Sequence, residues 1–392
     1  MAAILEDQLI KLMKGEVDSC KIPGISILLR MDGWDKLFLT YGMADIEKKT
    51  SVERDTIFRL YSLTKPVIGA AIMKLMEEGK LDLGESVAEF LPGFRNQRTA
   101  QNGTIVSAAR ETKIADLLSM TAGIPSPGEA SLPEHMVADI FQELEERRGT
   151  ESEMSTVEFA NRVGQCPLLS HPGTEYHYSV CADILGAVIE VVSGKSLPEF
   201  LKTEITDPLK MNDTGFWVSE KKQHRLAKIY EAVQEGGLQV YTDNFLGILN
   251  TMDKAPAFAS GGAGLASTLD DYARFAQMLL NDGELDGVRI LKPQTVKYFT
   301  TGCLNDEVQP TFVTVWPLLS GFSYGNLIRK CIRPEQAVTL ARAGEYGWDG
   351  WTGMYFENFP NEKTTLLIGM QRANTGIIPF TRKVRNIVLS YI

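Results

Sequence analysis

The sequence predicts an α/β fold: an antiparallel sheet flanked by helices, with a helix-rich subdomain beside it. Three observations carry this expectation. Strand-like apolar runs lie near both ends of the chain, at 25–30 and 364–370. Apolar helical runs lie between them, at 67–76 and 184–192. Capping residues and Gly or Pro breakers fall at the edges of these runs.

In chain order, Ile4, Leu5, Leu9, Ile10, Leu12 and Met13 have helical spacing. Pro23-Gly24 breaks that segment. Ile25 to Arg30 and Lys36 to Tyr41 read as two strands joined around Met31-Asp32-Gly33, a hairpin signal. Val67 to Met76 is apolar nearly all round, which marks a buried helix. Ser155 to Glu158 and Ser196 to Glu199 are capping boxes, the second with Pro198 in the first turn. Ile184 to Val192 is closed by Gly194. Thr268 caps a helix from Leu269 to Leu280, which stops at Asn281-Asp282-Gly283. Gly353 to Phe356 reads as a strand, Asn361 to Lys363 as a turn, and Thr364 to Met370 as the last strand. Early and late strands are expected to share one sheet with the terminal helices packed on it. The expectation is one catalytic unit over 1–392, with a sheet subdomain (1–90 and 262–392) and a helix-rich subdomain (91–261). The charged stretch Gln142 to Glu153 reads as a solvated helix face and loop.

Composition narrows the function. The chain has 392 residues, 44% hydrophobic and 23% charged, which argues against disorder. Forty basic against fifty acidic residues give a net charge of −10, which disfavours nucleic acid or an anionic membrane as partner. The five cysteines form no CxxC, so neither a disulfide framework nor a zinc cage is suggested. Glu6 and Asp7 stand where a signal peptide needs bases and an apolar run. No run approaches the roughly 18 to 20 apolar residues of a membrane helix. A soluble, cytoplasmic protein acting on a small molecule, without metal or organic cofactor, is expected. The four histidines (His135, His171, His177, His224) form no HExxH, and no Walker A pattern occurs in the sequence. Catalysis is expected to use a base other than histidine.

Ser62-Leu63-Thr64-Lys65 offers one, just ahead of the buried helix. Residues i and i+3 share a helix face. A serine hydroxyl needs a proton acceptor before it attacks. A lysine serves if burial and neighbouring charge lower its pKa. Helix-start N–H groups favour an oxyanion. Spacing alone leaves another reading open, in which Ser62 is an N-cap and Lys65 a snorkelling surface residue. Ser219-Glu220-Lys221-Lys222 has the same spacing among charges and reads as a solvated helix.

The surrounding segment, Thr56 to Lys65, resembles the nucleophile segment of the serine β-lactamase-like superfamily. That group includes class C β-lactamases, DD-peptidases and the β-lactamase-fold carboxylesterases. Ile114 to Ile124 is similar to its LLTHTSG block, with Met120 where His is usual. Pro172 to Val180 is similar to its PG…YSN block, and Gly261 to Thr268 to its GGGGLxST block. Asn281 to Leu291 follows as in the family. The matches run in order from about residue 20 to 390; each is modest and the ordered set is strong.

The resemblance implies a β-lactamase/transpeptidase-like fold and assigns roles. Ser62 matches the nucleophile, Lys65 the general base or proton relay, and Tyr178 the tyrosine that delivers the proton to the leaving group. Tyr176 competes for that last role. Tyr178 is preferred because Tyr178-Ser179 precedes Cys181 to Gly186, which fits the family's next helix. His177 reads as a packed or exposed neighbour. Trp348-Asp349-Gly350 best fits the strand that carries Lys-Thr-Gly in other branches. The family pattern places the N–H groups of Ser62 and Trp351 at the oxyanion hole, with glycine backbone such as Gly350 allowing close approach. Trp348 cannot bind a substrate carboxylate, Asp349 would repel one, and Val180 replaces an amide that contacts the acyl side chain. These departures resemble the esterase branch. The expected function is a serine hydrolase that forms an acyl-enzyme on Ser62, a carboxylesterase on small esters. The alternatives are a β-lactamase, DD-peptidase or D-amino-acid amidase, or a catalytically silent binding protein on the same fold. Phe245, Leu246, Ile248, Leu249, Phe258, Trp316 and Phe322 read as core or as acyl-pocket lining.

Overall fold

The hairpin around Asp32-Gly33 forms, joining β1 (Gly24–Met31) to β2 (Trp34–Asp45). Asp32 and Gly33 both take left-handed backbone, at φ 49° and 81°, as a two-residue hairpin turn requires. The computed structural model describes residues 2–101, 103–234 and 236–392. Met1, the first residue of the expected sheet subdomain, lies outside them, as do Asn102 and Glu235.

Six more strands complete the main sheet: β3 (Thr50–Ser51), β4 (Phe322–Gly325), β5 (Ile328–Cys331), β6 (Tyr346–Asp349), β7 (Tyr355–Phe359) and β8 (Thr364–Gly369). Their order is β4-β5-β6-β7-β8-β1-β2-β3, antiparallel at each pairing. The first and last long strands thus meet inside the sheet, with Ile27 opposite Ile368 and Leu28 opposite Leu367.

Alternation along these strands separates two apolar layers. Ile25, Ile27, Leu29, Leu366 and Ile368 pack with Leu5, Leu9 and Met13 of α1 (Ala2–Asp18) and with Phe380, Val384 and Val388 of the C-terminal helix (Pro379–Leu389). Leu28, Phe356 and Leu367 join the other layer, built on α2 (Thr64–Glu77). That layer runs without a break into α3 (Leu132–Glu146), α4 (Thr156–Gly164), α5 (Cys181–Ser193) and α6 (Leu269–Leu280). The caps form where the sequence places them. Ser155 accepts from the N–H of Glu158 at 3.1 Å and Thr268 from that of Asp271 at 3.1 Å. Gly194 ends α5 at φ 68°. No described helix is long and apolar enough to cross a membrane.

Two local expectations change. The strand read from Gly353 begins at Tyr355, because Gly350 to Gly353 closes a turn through a 2.9 Å bond from the Gly353 N–H to the Gly350 carbonyl. The charged stretch after Gln142 is paired as well as solvated. Glu143 binds Arg147 and Arg162, and Arg147 binds Glu158. The two guanidiniums, Arg162 foremost, hold the Glu143 carboxyl down at about 2.

Candidate active site

Ser62 lies in a single 3-10 turn, Tyr61–Leu63, that leads directly into α2. The capping position falls on Leu63 rather than Ser62. Lys65 is only 4% exposed, so it does not snorkel. Its amine donates to Ser62 Oγ at 3.1 Å and to the Gly262 carbonyl at 2.8 Å. Ser219, by contrast, is exposed, and Lys222 pairs with Asp213 at 2.7 Å.

Tyr178 stands over the same amine, with Lys65 Nζ 4.8 Å from its ring centroid. Its hydroxyl accepts from the indole N–H of Trp348 at 3.0 Å. The rival Tyr176 is buried against Phe312 and Tyr324, and burial pushes its phenol well above the ordinary range. His177 contacts Ser170 at 3.1 Å and Glu175 at 3.3 Å, and burial lowers its pKa.

Trp348 and Asp349 end β6, while Gly350 and Trp351 lie in the turn that follows. A Cβ on Gly350 would stand 2.3 Å from the Leu60 carbonyl oxygen. Glycine therefore lets this turn close against the segment that carries Ser62. Trp351 meets the Tyr61 ring at 4.9 Å between centroids. Among the described residues, the Ser62 and Trp351 N–H groups have no backbone acceptor in the turns and loops. Asp349 accepts from Arg329 at 2.8 Å. Burial pushes its carboxyl up to about 6 against the pull of that guanidinium.

Two cavities meet at Ser62 and Tyr178. One, of about 240 Å³, reaches Lys65, Val180 and Asp183. The other, of about 460 Å³, is walled by Trp316, Trp348 and Trp351. Phe245 and Leu246 border both. Ile248, Leu249 and Phe258 border a separate void of about 20 Å³, and Phe322 is buried in β4.

Asp183 has no assigned role at the level of sequence, yet it braces this centre. It accepts from the Ser260 hydroxyl and from the Gly262 N–H at 3.0 Å, and Ser260 Oγ accepts from the Ala263 N–H at 3.0 Å. A Cβ on Gly262 would stand 2.6 Å from Asp183 Oδ2. The carboxylate thus fixes the Gly261–Gly262 peptide directly and, through Ser260, the Gly262–Ala263 peptide whose carbonyl faces Lys65. Burial raises its pKa, opposed by the Ser260 hydrogen bond and the Lys65 charge. The available signal was an aspartate in an otherwise apolar helix start, Cys181-Ala182-Asp183-Ile184-Leu185.

The beta-lactamase family model matches residues 9–379. The chain belongs to the beta-lactamase family. Within the family, Protein Rv1367c of Mycobacterium tuberculosis (strain ATCC 25618 / H37Rv) is 31% identical over 319 residues, 80% of this chain and 76% of that protein. N-acetylmuramyl-L-alanine amidase of Bacillus subtilis (strain 168) is 26% identical over 351 residues, 84% and 73% of the two chains. Esterase EstB of Burkholderia gladioli is 27% identical over 329 residues, 80% and 76%. Among solved structures the chain is similar to EstCE1, a hydrolase with promiscuous acyltransferase activity, at 26% identity and a TM-score of 0.83 over 99% of each chain. The fold is accordingly β-lactamase/transpeptidase-like, and family membership supports a serine hydrolase. The relatives' names divide between ester and amide chemistry.

Proposed function

We propose that this protein is a carboxylesterase that works through an acyl-enzyme on Ser62. The observation that carries the reading is the Trp348 indole bonded to Tyr178 at the larger cavity that opens on Ser62. It puts an aromatic donor where a carboxylate-binding cation serves β-lactam and peptide substrates. Asp349 beside it is already engaged by Arg329 and offers an anionic substrate no cation.

In the first half-reaction Ser62 Oγ attacks the ester carbonyl while Lys65 Nζ takes its proton. The N–H groups of Ser62 and Trp351 hold the oxyanion. Tyr178, sharing the proton with Lys65, passes it to the departing alkoxide as the C–O bond breaks. Water then attacks the acyl-enzyme, its proton goes to the same pair, and Ser62 leaves as the hydroxyl. EstB as a named esterase and EstCE1 as a named hydrolase with acyltransferase activity support the ester reading.

Hydrolysis of nitrophenyl butyrate beside a chromogenic cephalosporin tests it, with Ser62→Ala as control. Ester turnover that vanishes in the variant, with cephalosporin turnover far weaker, is expected. The reverse ranking would move the assignment to β-lactam or peptide chemistry.

A further inference from the structure

The two cavities at Ser62 share wall residues that the proposed mechanism does not use. Phe245 and Leu246 wall both cavities that open on Ser62. They belong to a tight turn in which the N–H of Phe245 bonds the Ile248 carbonyl at 3.3 Å and the N–H of Ile248 bonds that of Phe245 at 3.0 Å. The tip residues Leu246 and Gly247 both have left-handed backbone, at φ 53° and 73°. Asn or Gly takes that conformation readily, whereas leucine is strained in it. A large side chain therefore stands at the tip despite its backbone. The turn is also pinned. Arg148 donates to the Gly247 carbonyl at 2.9 Å, the Phe245 ring stacks on Trp351 at 4.4 Å, and the buried Arg59 donates to the Asn250 carbonyl at 2.9 Å.

We propose that the Phe245–Leu246 turn partitions the site and restricts the substrate to an ester with one bulky apolar half and one short half. This rests on the ester reading above and names its substrate class. An ester carbonyl held at Ser62 sends its acyl chain and its alkoxy group in diverging directions, and two compartments meeting at that serine answer the divergence. Cavities that take drug-sized ligands span about 300–1,000 Å³. The tryptophan-walled compartment, at about 460 Å³, falls in that range, and the other, at about 240 Å³, falls below it. A substituent that overfills the smaller side meets Leu246.

The test compares kcat/KM for three esters, each divided by its hydroxide-catalysed rate. Nitrophenyl acetate and methyl nitrobenzoate each pair one aromatic half with one short half, in opposite orientations. Nitrophenyl benzoate has two bulky halves. In the wild type the better of the first two should exceed the third by about tenfold or more. Leu246→Gly, which glycine's backbone freedom tolerates, should bring that ratio toward one, and Leu246→Phe should raise it. If Leu246→Gly does not fold, as thermal melting would report, Leu246→Phe decides alone. A ratio unmoved in folded variants overturns the partition while leaving the serine reading intact, provided a fluorophosphonate labels wild-type Ser62. Absence of that label in the wild type overturns the reading and the partition together.

Discussion

Lys65 has two hydrogen-bond partners among the described residues, and in the proposed mechanism only Ser62 reacts. Its bond to Ser62 lies along a helix start and is legible from the i,i+3 spacing. Its bond to the Gly262 carbonyl spans 197 residues and is not. Asp183 holds that carbonyl through Ser260 and braces the neighbouring peptide through the Gly262 N–H, so the role expected of it is to position Lys65. Asp183→Ala should lower kcat by about ten- to a hundredfold with little change in KM, the scale of a misplaced reacting group. Asp183→Asn, which keeps an oxygen to accept the Gly262 N–H, should recover part of the loss; equal losses in both variants, or a change in KM alone, would contradict the positioning role. Asp349 yields a prediction in pH. Its carboxyl rises from the ordinary 3.8 to about 6 on burial, so the folded state binds its proton more tightly than the unfolded one. Its contribution to stability is greatest below 3.8 and is lost as pH rises through about 6. Asparagine does not titrate, so the Tm of Asp349→Asn minus that of the wild type should grow between pH 4.5 and pH 7. A flat or shrinking difference would rule out burial as the cause.

At the scale of elements, the sequence exposes what is local and conceals what is paired. β1, β8, α2, α5 and α6 were legible because apolar runs and caps announce them within a dozen residues. β4 and β5 have four residues each, and β5 carries Arg329 and Lys330, charges that interrupt an apolar run. Arg329 is 1% exposed and stands between Asp349 of β6 and Glu357 of β7. The chain of charge continues beyond it. The Tyr355 hydroxyl donates to Glu357 at 2.8 Å, and Arg385 of the C-terminal helix binds Glu345 at 2.6 Å. Three strands and a terminal helix are thereby tied to Asp349 at the cavity wall. Removing one partner of a buried ionic group strands the others in low dielectric. Arg329→Met should cost about 3–5 kcal/mol in urea unfolding. A cost under about 1 kcal/mol would show that the acids find other partners or lose their charge.

For the whole molecule, the site is a product of chain closure. β1 and β8 pair inside the sheet, which brings the turn at Gly350–Trp351 back onto the segment at Ser62. The α5 start at Asp183 and the loop at Gly262 arrive from the other apolar layer. The family motifs made the four segments legible in order along the chain, and Phe245 and Leu246 were legible as core or pocket lining; the left-handed turn at Leu246, Asp183 and Arg329 escaped because their meaning lies in contacts between distant segments. A reactive Ser62 should therefore exist only in the folded chain. Fluorophosphonate treatment followed by peptide mass mapping tests this most directly. Expected is one phosphonyl adduct, on Ser62 of the folded protein, absent in urea and slowed by about 10²-fold or more in Lys65→Met. An adduct on another residue, or labelling of Ser62 at the same rate in urea or without Lys65, would contradict the assignment.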